Sequence, residues 1–212
     1  MPVRKVVTRS GGHSRGLCPS IKNPIASAWE SQLEKQFHQF LELSPVVRRF
    51  DVQPTREPIV VDGAPAAYIP DVRVEFIDKS SAFCEVKPAV KCKTARIASR
   101  LSAIRRRFQD TGRRFYLVTD EWLSQEPRRT NVALLMYHRR GYLLGPLERR
   151  KLADLVAIHQ PGTVSELVDL VGRDKAWLML GLSMVGVDLE QPLNEESAIY
   201  LKGGHRHAKL FA

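Results

Sequence analysis

The chain has 212 residues, of which 43% are hydrophobic and 26% charged, and its formal net charge is +10. This composition is typical of a globular protein, and because no run of about 18 apolar residues occurs, it excludes a transmembrane helix. The net charge favours a polyanionic partner, of which nucleic acid is the leading candidate, although a merely basic globular protein carries the same charge.

The cysteine pattern and the N-terminal residues indicate a cellular compartment. Cys18, Cys84 and Cys92 follow no spacing typical of a disulfide framework, and the first residues contain no long apolar stretch. Free thiols are usual in a reducing compartment, and a secretory signal needs an apolar segment. We therefore predict a cytoplasmic protein without a signal peptide.

The first predicted element is a helix that follows a basic arm. Residues 1–25 are rich in Arg, Lys, Ser and Gly and show no apolar period, which predicts a flexible arm. Residues 26–43 carry apolar side chains at helical spacing, which predicts an amphipathic helix. Ser27, with Glu30 three residues later, resembles a capping box at the start of this helix.

Strands dominate the next part of the chain. Residues 46–54 predict a short strand, residues 66–78 predict a second strand in which polar and apolar residues alternate, and residues 82–88 predict a third. Because a short polar turn separates the last two strands, we expect them to pair as a hairpin.

A basic helix and a buried strand complete this region. Residues 93–112 have apolar positions at helical spacing and end in a glycine, and residues 113–120 are an apolar run suited to a buried strand. The order of elements predicts an α/β core with a mixed central sheet flanked by helices over residues 26–125. The helix carries arginines that either contact phosphates or form a solvated face: Arg96, Arg100, Arg105, Arg106 and Arg107.

The last third of the chain has a different character. Residues 163–172 and 174–186 are two short helical patterns separated by a glycine, and residues 187–202 resemble two short strands around a turn. A helix-turn-helix followed by a hairpin is the outline of a winged helix. We predict a small winged-helix-like domain with a basic tail over residues 126–212; a small helical cap on the core is the alternative.

Three residues on the predicted hairpin are candidate catalytic residues. Asp71, Glu85 and Lys87 form the pattern P-D-x(13)-E-x-K, and the hairpin can turn all three to one face. Two carboxylates suit a hard divalent cation such as Mg²⁺ or Mn²⁺. An ammonium beside them can stabilise developing negative charge or orient a water. The set predicts phosphodiester hydrolysis; the alternative is a Glu–Lys ion pair on a solvated strand.

These motifs resemble the PD-(D/E)XK nuclease superfamily and, more specifically, the N-terminal domain of the TnsA endonuclease family. The resemblance covers roughly residues 20–125 and implies a restriction-endonuclease-like core. Gln53 matches the family's Gln-Pro at the end of the first strand, where it implies a supporting role. The stretches that carry the resemblance are ESQLEKQFHQFLELSPVVRRFDVQP, YIPDVRVEF with CEVKP, and RRFYLVTDEWL.

The resemblance assigns roles to individual residues. From the residues alone, Glu34 on the predicted helix is best interpreted as a surface glutamate, but it matches the acidic position of the family's S-x-L-E pattern. The resemblance implies that Glu34, Asp71 and Glu85, with the carbonyl of Val86, hold one or two Mg²⁺. It also implies that Lys87 positions or deprotonates the attacking water.

The implied activity is Mg²⁺-dependent cleavage of double-stranded DNA at transposon ends. In this family the 5′ strands are cut beside a DDE-type transposase subunit that cuts and joins the 3′ ends, and an ATP-dependent regulator is a further partner. A bacterial, cytoplasmic protein, nucleoid-associated when active, is implied. A stand-alone nuclease of the same fold in restriction or DNA repair is the alternative. A DNA-binding subunit with a retired site is a third, against which the complete Asp71, Glu85 and Lys87 set argues.

Overall fold

The structure is a computed structural model, and it describes residues 15–139 and 144–207. Residues 1–14 of the predicted arm and residues 208–212 of the predicted tail lie outside the described residues. In the described ranges, no helix combines the length and the apolar character that crossing a membrane requires.

The chain divides into two compact units. The first consists of Met1–Glu42 and Val46–Ser124, and the second of Leu43–Pro45 and Gln125–Ala212. The elements up to residue 124 are, in chain order, β1 (Gly16–Cys18), β2 (Ser27–Trp29), α1 (Gln32–Leu43), β3 (Val47–Val52), β4 (Glu57–Val61), β5 (Ala64–Tyr68), β6 (Val72–Phe76), β7 (Ser81–Val86), α2 (Ala89–Cys92), α3 (Ala95–Asp110), β8 (Arg114–Val118) and α4 (Asp120–Leu123).

A four-stranded mixed sheet forms the centre of the first unit, in the order β3-β6-β7-β8. Strand β6 pairs antiparallel with β3 and with β7, while β7 pairs parallel with β8. A parallel pair needs a crossover connection, and α2 and α3 supply it between β7 and β8. The predicted mixed sheet with flanking helices and the predicted hairpin of β6 and β7 are confirmed.

The first helix begins later than its sequence pattern predicts. Ser27–Trp29 is strand β2, paired with β1, which lies within the stretch predicted to be an arm. The capping box predicted at Ser27 and Glu30 is therefore wrong. The same Ser-x-x-Glu spacing recurs at Ser31 and Glu34, where the Glu34 N–H donates to Ser31 Oγ at 3.2 Å. Strand pairing keeps the first copy extended, so only the second copy caps α1.

A second hairpin, formed by β4 and β5, has no counterpart in the sequence prediction. The pattern predicts one strand over residues 66–78, but the structure divides it into β5, which ends at Tyr68, and β6, which begins at Val72. Strand β4 turns into β5 through Asp62 and Gly63, whose φ angles are 50° and 79°. A two-residue Asp-Gly turn with positive φ matches the twist of a hairpin.

The apolar face of α3 packs into one core cluster with strands β4, β5 and β7. The helix confirms the pattern predicted over residues 93–112. The cluster joins the second hairpin to the central sheet, because it contains Tyr68 of β5 and Phe83 of β7. Its buried members are Ile59, Tyr68, Phe83, Leu101, Ile104 and Phe108.

The second unit is mainly helical. Its helices are α5 (Arg128–His138), α6 (Pro146–His159), α7 (Val164–Val171) and α8 (Arg173–Gly181). Helices α7 and α8 lie where the sequence predicts them. Helix α6 is not predicted by the sequence, because its apolar side chains do not form a single stripe: Leu152 and Val156 are buried, whereas Leu147 and Ile158 are exposed.

The winged-helix prediction is not confirmed. From Ala176 to the end of α8 every residue is buried, whereas a recognition helix must present a face to DNA. Residues 187–202, all of which the structure describes, form no strand and make only isolated bridges, such as the one between Gly186 and Tyr200. After its charged first turn, α8 is apolar on all sides, and it packs against both α5 and α7.

Candidate active site

A cleft of about 530 Å³ in the first unit brings together the residues predicted to carry chemistry. The start of α1, the residue before β6 and the end of β7 form its walls. Glu34, Asp71, Glu85, Val86 and Lys87 all line it. The register that pairs Val72 with Cys84 explains why Asp71 lies opposite Glu85.

Asp71 is held in place through both its side chain and its backbone. Its Oδ2 accepts a hydrogen bond from the Val86 N–H at 2.7 Å, and its carbonyl accepts one from the Gln53 N–H at 2.9 Å. Burial raises the pKa of the Asp71 carboxyl well above its usual value, and the negative charges of Glu85 and Glu34 add to this rise. The site therefore disfavours the ionised form of Asp71 unless a cation is present.

Glu85 lies on β7 and is only 8% exposed. Its Oε1 forms an ion pair with the Lys87 ammonium, and its Oε2 accepts a hydrogen bond from the Tyr68 hydroxyl at 2.9 Å. Burial, followed by the charges of Glu85 and Asp71, raises the pKa of the Tyr68 phenol far above its usual value. Tyr68 is thus a neutral donor that contacts Glu85 from the side of the core.

Glu34 owes its position to the capping box of α1. Its Oε2 accepts from the Glu30 N–H at 2.8 Å and its Oε1 from the Ser31 hydroxyl at 3.1 Å. Burial raises the pKa of the Glu34 carboxyl, the negative charges of Glu30 and Glu85 raise it further, and these hydrogen bonds oppose the rise. The helix start therefore presents a carboxylate to the cleft in a fixed orientation.

The backbone after β7 is tied to the end of β8. The Lys87 N–H donates to the Val118 carbonyl at 2.9 Å, and the Ala89 N–H donates to Asp120 Oδ1 at 2.7 Å. These bonds fix the backbone at Lys87, the residue that follows β7. Lys91, the third residue of α2, also lines the cleft. No sequence motif points to Asp120 or Lys91 as part of the site.

Gln53 supports two parts of the cleft. It is 4% exposed and has a positive φ of 46°. Its side-chain amide donates to Glu30 Oε2 at 3.2 Å, while its backbone N–H bonds Asp71 as described above. Gln53 thus connects the end of β3 to both carboxylate-bearing segments.

The predicted arginine face of α3 divides into two groups. Arg100 donates to the Ala67 carbonyl at 3.0 Å, and Arg107 lies 3.7 Å from Glu57, so both contact the β4–β5 hairpin. Arg96, Arg105 and Arg106 are exposed. These three form the part of α3 that is open to a phosphate backbone.

The donor chemistry of the cleft fits a hard divalent cation, although the ligands are not gathered around one point. Over residues 15–139 and 144–207, no three His, Cys, Asp or Glu side chains form a ready-made ligand set. The carboxylates of Glu34, Asp71 and Glu85 nonetheless line one cleft, where burial, and after it the charges of neighbouring carboxylates, raise the pKa values of the first two. Oxygen ligands and excess negative charge are what Mg²⁺ and Mn²⁺ prefer.

Residues 44–120 match the family model described as TnsA-like endonuclease N terminal. The resemblance seen in the sequence is confirmed over this stretch. The matched stretch is similar to the endonuclease domain of the TnsA type, and it includes Tyr68, Asp71, Glu85 and Lys87, whereas Glu34 precedes it. No curated protein matches the chain.

Proposed function

We propose that the chain is a Mg²⁺-dependent DNA endonuclease that cleaves the 5′ strands at transposon ends, as the TnsA-like subunit of a heteromeric transposase. The observation that carries this proposal is the cleft that holds Glu34, Asp71, Glu85 and Lys87, most of it within the matched stretch. A DDE-type transposase subunit is the proposed partner for the 3′ ends, and an ATP-dependent regulator is a further one.

The carboxylates of Glu34, Asp71 and Glu85, with the Val86 carbonyl, hold the metal in this proposal, either Mg²⁺ or Mn²⁺. When bound, the metal supplies a Lewis acid and an activated water. The Lys87 ammonium orients that water and stabilises the negative charge that develops on the phosphate; the alternative role, deprotonation of the water, would need Lys87 as the neutral amine. The contacts of Lys87 and Ala89 with the end of β8 keep this ammonium at the cleft.

The exposed cations near the cleft are the proposed DNA contacts. Lys91 lines the cleft, and Arg96, Arg105 and Arg106 are exposed on the helix that follows. Contacts between such side chains and phosphates position a duplex without reading its sequence, and they weaken as salt rises. End recognition is therefore assigned to the partner or to the second unit.

Strand cleavage of end-labelled duplex DNA tests the proposal. The full chain is assayed alone and with a DDE-type transposase as the proposed partner, in Mg²⁺ or in EDTA. We expect Mg²⁺-dependent cutting, and a loss of more than about 100-fold in Asp71→Asn and Lys87→Met, since even the outer partners of metal ligands contribute about 10–100-fold.

The matched controls are Asp154→Asn and Lys151→Met, which make the same changes at exposed positions of α6 and should cut like the wild type. Cutting by folded Asp71→Asn and Lys87→Met at the wild-type rate would disprove the site assignment. Full activity without the partner would favour a stand-alone nuclease.

A further inference from the structure

Tyr68 is a buried tyrosine whose hydroxyl contacts Glu85, a residue of the cleft, from the side of the core. It is the last residue of β5 and is 3% exposed. Its ring lies edge-on to Phe108 and Phe115, with both centroid distances at 6.3 Å. Because packing on the core side fixes the ring, the position of the hydroxyl is fixed as well.

The two oxygens of Glu85 have different surroundings. The bond from Tyr68 to Oε2 is buried, whereas the ion pair from Lys87 to Oε1 is only part-buried, and the Lys87 side chain is 27% exposed. Tyr68 does not line the cleft, but Lys87 does. A cation that enters the cleft therefore meets Oε1 and Lys87 before it meets Oε2.

We propose that Tyr68 is a positioning residue that holds Oε2 of Glu85 and leaves Oε1 as the oxygen that exchanges Lys87 for a divalent cation. The inference rests on the proposed function, because it names how one proposed ligand is prepared. It assigns opposite roles to the two partners of Glu85: Tyr68 orients the carboxylate for the cation, and Lys87 competes with the cation for the same oxygen.

The physical argument is preorganisation. A glutamate side chain loses rotamer freedom when it is fixed on a ligand, and a donor that already fixes it removes that loss from the binding step. Hydrogen bonds from outer partners to a metal-binding carboxylate typically change metal affinity by about 10–100-fold. The exchange also frees Lys87 from its partner at the moment when the site becomes occupied, so that its ammonium is available to a phosphate.

Binding of Mn²⁺ to the full chain without DNA, followed by electron paramagnetic resonance, tests this inference independently of activity. We expect Tyr68→Phe to raise the Kd for Mn²⁺ by about tenfold or more. We expect Lys87→Met to lower it, because Oε1 loses its competitor. Tyr137→Phe removes the same hydroxyl from a residue that is 64% exposed and should bind like the wild type.

The sign of the two effects separates positioning from general damage to the fold. A merely structural role for Tyr68 predicts a lower unfolding midpoint with an unchanged Kd for Mn²⁺, and that result would overturn the inference. Weaker Mn²⁺ binding in Lys87→Met would also overturn it, and this arm still decides if Tyr68→Phe does not fold. In DNA cleavage, Tyr68→Phe should need more Mn²⁺ for half-maximal rate, with an unchanged KM for DNA.

The inference and the proposed function fail in distinguishable ways. If the wild-type chain neither binds Mn²⁺ nor cuts DNA, both are wrong. If the wild type does both and Tyr68→Phe binds Mn²⁺ equally tightly, only the role of Tyr68 is wrong.

Discussion

The first unit contains two groups of buried charge, one around Glu57 and one at the cleft. Their surroundings shift the carboxyl pKa values in opposite directions. Glu57 accepts two hydrogen bonds from Arg113, at 2.8 and 2.6 Å, and this pairing lowers the pKa of its carboxyl. The Arg113 guanidinium also stacks 4.6 Å above the ring of Phe108. At the cleft, burial raises the pKa of Asp71, and the neighbouring carboxylates of Glu85 and Glu34 raise it further.

The difference indicates which group stabilises the fold and which is prepared for a ligand. A carboxylate paired with its own arginines is satisfied as it stands, and removing one partner destabilises the protein. Carboxylates gathered beside one another store an unfavourable interaction that a cation relieves, and groups with such perturbed pKa values concentrate at functional sites. The comparison therefore predicts opposite effects on stability when the two groups are neutralised.

Asp71→Asn is expected to give the largest effect, and it should separate activity from stability. Activity should fall more than about 100-fold. Stability should rise, because the folded pKa of Asp71 lies above its usual value of 3.8, so its charged form is unfavourable in the folded state at neutral pH. The Asn side-chain oxygen can still accept from the Val86 N–H.

Urea unfolding at pH 7 without divalent metal measures the stability change. The exposed substitution Asp154→Asn should leave the midpoint unchanged. A lower midpoint for Asp71→Asn would show that the Asp71 carboxylate stabilises the fold, as the Glu57 carboxylate does.

Glu57→Gln should act in the opposite direction. It leaves Arg113 and Arg107 without their carboxylate, and we expect a loss of about 2–3 kcal/mol, between the values typical of exposed and of fully buried pairs. Since the folded pKa of Glu57 lies below its usual value of 4.5, this stabilisation is present at neutral pH and is lost as the pH falls below about 4.5.

Glu75→Gln is the matched control, because Glu75 pairs with Arg48 and Arg49 at the surface, both at 2.7 Å. It should change the urea midpoint little at pH 7. Equal losses in Glu57→Gln and Glu75→Gln would mean that burial adds nothing to the Glu57 group.

His38 tests whether burial without a partner is enough to mark a functional residue. It is fully buried, 5.5 Å from the ring of Phe50, and within the described ranges neither ring nitrogen has a hydrogen-bond partner. Burial lowers the pKa of His38 to about 3. We expect His38→Leu to keep the wild-type cleavage rate at pH 7, because His38 does not line the cleft.

The pH dependence of unfolding checks that His38 is buried in its neutral form. The folded pKa of His38 lies below its usual value of 6.5, so the wild type should lose up to about 1.4 kcal/mol per pH unit as the pH falls from about 6.5 towards 3. His38→Leu should lose less over this window, whereas the exposed substitution His159→Leu should follow the wild type. If His38→Leu lost stability with falling pH as steeply as the wild type, this pH dependence would not come from His38.

The sequence predicts only some of the residues that form the site in the cleft. Asp71 immediately precedes β6, Glu85 lies on β7 and Lys87 immediately follows it, so their meeting follows from strand period and a local turn. Glu34 lies on a separate helix, and only the family resemblance assigns it to the site. Tyr68 could not be predicted, because its contact with Glu85 depends on how the β4–β5 hairpin packs against α3.

Two further misses have local physical causes. The Asp62-Gly63 pair carries a strong hairpin signal, but the long alternating pattern that follows it predicts a single strand across Pro70. In the second unit, the pattern of α8 predicts a helix correctly, but its apolar residues Ala176–Gly181 are buried, and the winged-helix prediction is not confirmed.

The smallest expected effect concerns the exposed arginines of α3, whose side chains face solvent. Replacing Arg105 and Arg106 together with alanine should lower the slope of log affinity against log salt for duplex DNA by about two, since each phosphate contact contributes about 0.9. Arg48→Ala with Arg49→Ala removes the same charge, but from residues that already pair with Glu75. Fluorescence anisotropy over a salt series measures both slopes. An equal fall in the two double variants would mean that net charge, rather than the surface of α3, determines DNA binding; a fall confined to the α3 variant would assign the phosphate contacts to that helix.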